Sequence, residues 1–114
     1  MVKQKSKAHK ALALKAADCA KKVLHYFEKE NPKDKRPRNA IKAIRAWALG
    51  KRELGMAEVR KLSLDSHAAA RKSKSDAARF AARAAGQAVA VWHVPAHAKA
   101  VLWYADKAEK AASQ

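Results

Sequence analysis

The sequence predicts an all-α fold, a compact single-domain bundle of about five helices, on three observations. Alanine dominates the 114 residues, while Gly and Pro number three each, a composition that favours helix interiors over strands and long loops. Apolar residues recur at three- and four-residue spacing, and no segment alternates with the period of a strand. Short runs carrying Pro, Gly or Ser-Lys-Ser-Asp separate five such segments.

The first helix is expected from Ser6 to Glu28, where Leu12, Ala16, Cys19, Val23 and Phe27 make one apolar face. Asn31-Pro32 ends it, because the residue before a proline leaves helical geometry and proline offers no amide donor. A second helix starts between Asp34 and Pro37, buries Ala40, Ile41, Ile44, Trp47 and Ala48, and stops at Gly50. The third spans Gly55 to Lys72, with Met56, Val59, Leu62 and Ala69 as core candidates. Ser75 or Asp76 suits the N-cap of a fourth helix, since either side chain can accept a backbone amide. That helix runs to Trp92, and its Ala77, Ala81, Ala84 or Ala85, and Ala88 form a smooth stripe open to close backbone approach. Pro95 opens, or kinks into, the fifth helix, which continues to Ala111 with Val94, Ala98, Val101, Ala105 and Ala108 on one side. No fixed-period repeat appears, which argues against a solenoid.

The length suits one domain over residues 1–114, with residues 1–7 as a flexible basic tail. A helical chain of this size buries enough surface to need neither metal nor disulfide. The lone Cys19 lies on an apolar stripe and is expected as a reduced core thiol. Together with the lack of a signal-like apolar segment near the start, it points to the cytoplasm. No run approaches the roughly 18 apolar residues of a membrane span. Lys and Arg number 26 against 10 Asp and Glu, a net charge of +16, and most of the excess precedes Leu54. Such a field attracts nucleic acid, acidic proteins or anionic surfaces, and says nothing about fold.

Three constellations bear on chemistry. In Asn31-Pro32-Lys33-Asp34-Lys35-Arg36-Pro37-Arg38, the prolines hold Arg36 and Arg38 at a helix start, where guanidinium groups and free amides suit a carboxylate or phosphate. A purely structural role competes there, with Asp34 capping the helix and pairing with Arg36 or Arg38. His67, His93 and His97, with Arg71 one turn after His67, form the second group. His93 and His97 have the spacing of two metal ligands, but Pro95 interrupts the turn and no Cys or Glu joins them. Polar core or interface histidines and a ligand pocket are the other readings, and no metal or cofactor is expected. The third group is aromatic: Trp47 and Tyr104 belong with the core by spacing, while Trp92 or Trp103 can reach the surface and stack on a base. No phosphate loop, HExxH sequence, nucleophile elbow or paired carboxylate is present, so catalysis is not expected.

Asp18-Cys19-Ala20, Val23-Leu24, Phe27-Glu28, Pro32, Asp34, Arg36-Pro37-Arg38, Ala40-Ile41, Arg45 and Trp47 resemble an immunity-protein family of small all-helical prokaryotic chains. His67-Ala68-Ala69-Ala70-Arg71, Ala84-Ala85-Gly86, His93 to His97 and Tyr104-Ala105 are similar to the same family. The likeness covers residues 16 to 108, and Pro-x-Asp-x-Arg-Pro-Arg with Trp47 is its most specific part. It implies a helical domain that binds and neutralises a toxin without cofactor or catalysis. An inhibitor of a basic nuclease would present acidic side chains, so for this basic chain either the target is acidic, or the lysine excess is an adaptation unrelated to the partner, or the family's role does not describe this member. The protein-binding reading predicts an acidic partner. The expected binding residues are Arg36, Arg38, Arg45, His67, Arg71, His93 and His97. Sequence-independent binding of nucleic acid through the basic surface is the alternative, and the alanine-smooth faces leave a homodimer open.

Overall fold

The computed structural model describes residues 6–114. Five helices follow one another: α1 (Lys7–Glu30), α2 (Arg36–Ala48), α3 (Met56–Lys72), α4 (Asp76–Ala90) and α5 (His97–Ala112). The first five residues of the expected basic tail lie outside the described residues. Ser6 and Lys7 already belong to the cap and first turn of α1.

Local chemistry sets the helix ends. The Ser6 hydroxyl accepts the amide of His9 at 3.0 Å and opens α1. At the far end of α2, Gly50 takes φ +75°, and the amides of Gly50 and Lys51 reach back to the carbonyls of Trp47 and Ala46. This is a left-handed helix stop, which glycine adopts at least steric cost. Ser75 caps α4 by accepting the Ala78 amide at 3.1 Å. Glu30, at the end of α1, accepts the amides of Lys74 and Ser75 at 2.7 and 3.1 Å and so ties two distant helix ends together. Burial opposes ionisation of Glu30, but the hydrogen bonds from Ser75, Lys74 and Asn31 outweigh it and lower its pKa. Removing the Ser75 hydroxyl frees an amide of the first turn. Ser75→Ala is therefore expected to lower the unfolding free energy by about 1 kcal/mol in urea titration.

Helix α4 is the hub of the bundle and packs against all four others. The expected smooth stripe is in fact an almost complete sleeve, since Ala78, Ala81, Ala82, Ala84, Ala85, Ala88 and Val89 are all fully buried and Gly86 is buried among them. The long side chains of α4, Arg79, Phe80, Arg83 and Gln87, are confined to one partly exposed edge, and the methyl groups elsewhere let its neighbours approach. Helix α1 touches α2, α4 and α5, and its buried face is correspondingly broad: Ala13, Ala16, Ala17, Ala20, Val23, Leu24 and Phe27. Leu12 and Cys19, expected in that core, are only half buried and line its edge. Burial raises the Cys19 thiol pKa, against a lowering by the nearby Lys22 charge, which keeps the thiol protonated.

Two further core expectations are corrected. Met56, at the first position of α3, and Val94, in the link before α5, are 38% and 37% exposed. The α4–α5 connection begins at Val91 and not after Trp92, and its Val91 is fully buried. The Val91 carbonyl accepts His9 Nε2–H at 2.6 Å, and the His9 ring meets Trp47 edge-on at 5.5 Å. No helix among the described residues is long and apolar enough to cross a membrane.

Candidate functional site

The arginines of the proline-framed segment hold carboxylates of the chain itself. Asp34 accepts the Arg36 amide at 3.1 Å and its guanidinium at 2.7 Å, so the helix start already carries its anion. Arg38 binds Glu28 through two parallel bonds of 2.6 and 2.5 Å, and Arg45 pairs with Asp18. The last two pairs bridge α1 and α2, which run antiparallel. Hydrogen bonds from Arg38 and Arg36 hold the Glu28 and Asp34 carboxyls below their ordinary values, despite partial burial. Such half-exposed pairs contribute about 0–1 kcal/mol each, and they neutralise the guanidiniums locally.

A different arrangement surrounds the histidines. On α3, Arg60, Ser63, His67 and Arg71 recur at spacings of three and four and so share one face. That face meets α4 in antiparallel register: Ser63 Oγ donates to the Gly86 carbonyl at 2.9 Å, Ser66 Oγ to the Ala82 carbonyl at 2.8 Å, and Arg83 to His67 Nδ1 at 2.9 Å. Guanidinium only donates, so His67 Nδ1 accepts and the neutral ring carries its proton on Nε2. The opposite edge of the ring lies against Gly86, where an added Cβ would stand 2.7 Å from Nε2. At the α5 start, His97 Nδ1 donates to Gln87 Oε1 at 2.7 Å. His93 and His97 then line an open groove of about 160 Å³ with Met56, Val59, Arg60, Ser63, Leu64 and Ala90.

Burial, followed by the positive charges of Arg83, Arg71 and His97, pushes the His67 pKa down to about 4 from an ordinary 6.5. The unfolded state therefore binds more protons than the folded state between those values. The stability contributed by neutral His67 is complete above the upper value and is lost as pH falls through the window. Glu28 and Asp34 have lowered pKa values, so their contribution is present above their ordinary 4.5 and 3.8 and is lost on further acidification. Urea midpoints measured from neutral pH downwards are expected to fall in two stages. His67→Gln, which keeps an acceptor for Arg83, is expected to flatten the first stage and leave the second.

The seven expected binding residues thus divide into two groups. Arg36, Arg38 and Arg45 are engaged along α2, while His67, Arg71, His93 and His97 gather around α3, α4 and the α5 start. The sequence reading missed Arg60, Ser63, Arg83, Gly86 and Gln87. The spacing of Arg60 and Ser63 to His67 was a readable signal, whereas the α4 members depend on the register of the helix pair. Among the described residues, no group of three or more His, Cys, Asp or Glu could hold a metal ion.

The fold is a small all-helical bundle with an open groove beside α3, α4 and the start of α5. The chain belongs to a protein family described as "Imm-5 like putative immunity protein", whose model matches residues 3–114. A non-catalytic protein is consistent with that family. Neither the curated proteins nor the solved structures return a match to the chain.

Proposed function

We propose that the chain is an immunity-type inhibitor that works by docking a protein partner, without chemistry of its own. The observation supporting this is the pairing of Met56 and Leu64, 38% and 61% exposed, in one groove edged by Arg60, His93 and His97. Large apolar side chains held side by side in water, with a polar rim, are characteristic of a surface that another protein covers. Affinity purification from host extract is expected to recover one protein in stoichiometric amount. Leu64→Glu is expected to lose it while keeping the helical circular dichroism of the parent. Recovery of nucleic acid alone, with no stoichiometric protein, would sink the reading.

A second reading rests on α5, where Trp103 is 53% exposed and Lys107 Nζ stands 5.1 Å from its ring centroid. An exposed ring beside lysines can stack a base of single-stranded nucleic acid. On that reading, a single-stranded oligonucleotide shifts at low salt, the affinity falls steeply as salt rises, and Trp103→Ala weakens it. An oligonucleotide that is not shifted at low salt would dispose of it.

A further inference from the structure

The arginines of this chain divide sharply by location. Five of the eight, Arg36, Arg38, Arg45, Arg52 and Arg79, form ion pairs with carboxylates of the chain. The remaining three, Arg60, Arg71 and Arg83, have no carboxylate partner among the described residues, and all three lie along the seam between α3 and α4. Arg60 lines the groove. Arg71 and Arg83 both act on His67 as positive charges, with His97, and no carboxylate contributes there. The register set by Ser63 with Gly86 and by His67 with Arg83 places Arg60, His67 with Arg83, and Arg71 in one line. Arg60 and Arg71 are exposed, and 11 residues of helix separate them by about 16 Å.

We propose that this seam is the docking surface for an acidic segment of the partner protein, with an apolar side chain in the groove and carboxylates on Arg60, Arg71 and Arg83. The inference rests on the immunity-type reading and adds the location and the chemistry of the contact. Charge complementarity selects the occupant. Guanidinium groups bind carboxylates through paired hydrogen bonds, and no carboxylate lines the groove to repel an acidic chain. The groove is walled largely by Met56, Val59, Leu64 and Ala90, which suits an aliphatic or aromatic side chain better than a phosphate backbone.

The probe is a fluorescein-labelled helical peptide of about 12 residues, rich in Glu with Leu on one face. Its controls are the same peptide with Lys for Glu and a short single-stranded oligonucleotide. Binding is followed by anisotropy, and the contact is mapped by amide shifts of the labelled protein. The acidic peptide is expected to perturb the seam from Arg60 to Arg71 and its α4 neighbours. Arg60→Glu with Arg71→Glu is expected to weaken it about tenfold or more, and the milder Gln pair to weaken it less. Lys21→Glu with Lys42→Glu, on the α1–α2 side, is expected to change it less than about twofold. Equal losses in the two charge-reversed proteins would overturn the assignment, as would shifts mapped away from the seam or tighter binding of the oligonucleotide there. If a stoichiometric protein partner is recovered and the Arg60 and Arg71 variants retain it, the seam assignment fails and the immunity-type reading stands. If the peptide maps to the seam and no protein partner is recovered, the reverse holds.

Discussion

Phe27→Ala is expected to lower the unfolding free energy by about 3–5 kcal/mol, toward the upper end of that range. Phe27 is the largest of the fully buried side chains among the described residues, ahead of Ile44 and Val23, with only the slightly exposed Trp47 larger in the core. Most of the remaining core is alanine, including Ala13, Ala17, Ala20, Ala40 and the α4 sleeve. An alanine methyl cannot extend into a void as a leucine or methionine can rotate to do, so the space left by the ring stays largely open. Chemical denaturation of the two proteins checks this, and a loss below about 2 kcal/mol would show that the helices close together instead.

Gly86→Ala is expected to destabilise the fold by about 1–3 kcal/mol, although alanine is worth about 1 kcal/mol more than glycine in a helix interior. The added methyl would stand 2.7 Å from His67 Nε2 and 3.0 Å from the neighbouring ring carbons. The ring cannot move aside without leaving its bond to Arg83. In a His67→Ala background the obstruction is gone, and the same change is expected to become neutral or stabilising. A double-mutant cycle measures that reversal of sign, and additive effects would show that Gly86 is retained for some other reason.

The helix plan was legible because its punctuation is local. Ser6, Asn31-Pro32, Gly50 and Ser75 act within a few residues of themselves, and each stands at the boundary its chemistry implies. The hub position of α4 was less legible, since spacing names an apolar face but not how many neighbours will cover it. Met56 and Val94 show the same limit from the other side. Their periodicity is that of core residues, yet both are more than a third exposed, Met56 as part of the groove wall.

The candidate site was legible in part. His67, Arg71, His93 and His97 could be named, and the α3 spacing also contained Arg60 and Ser63. Which guanidiniums keep a free charge could not be read, because the pairings of Arg38 with Glu28 and Arg45 with Asp18 cross between helices. The most specific motif, Asp34 with Arg36-Pro37-Arg38, proved to be held by the chain's own anions.

The engagement of the carboxylates has a consequence for mutational tolerance. Asp18, Glu28, Glu30, Asp34, Glu58, Asp65, Asp76, Asp106 and Glu109 each accept a hydrogen bond or ion pair within the chain. Neutralising any one of them both releases a contact and adds to an already large positive charge, whereas neutralising a solvated lysine such as Lys21 or Lys42 does neither. A substitution scan scored for folding would therefore show its lowest tolerance among charged positions at Glu28, Glu30 and Asp34, whose partly buried carboxylates hold several donors, and wide tolerance at most lysines. The scarce charge, rather than the abundant one, is the part of this surface that the fold constrains.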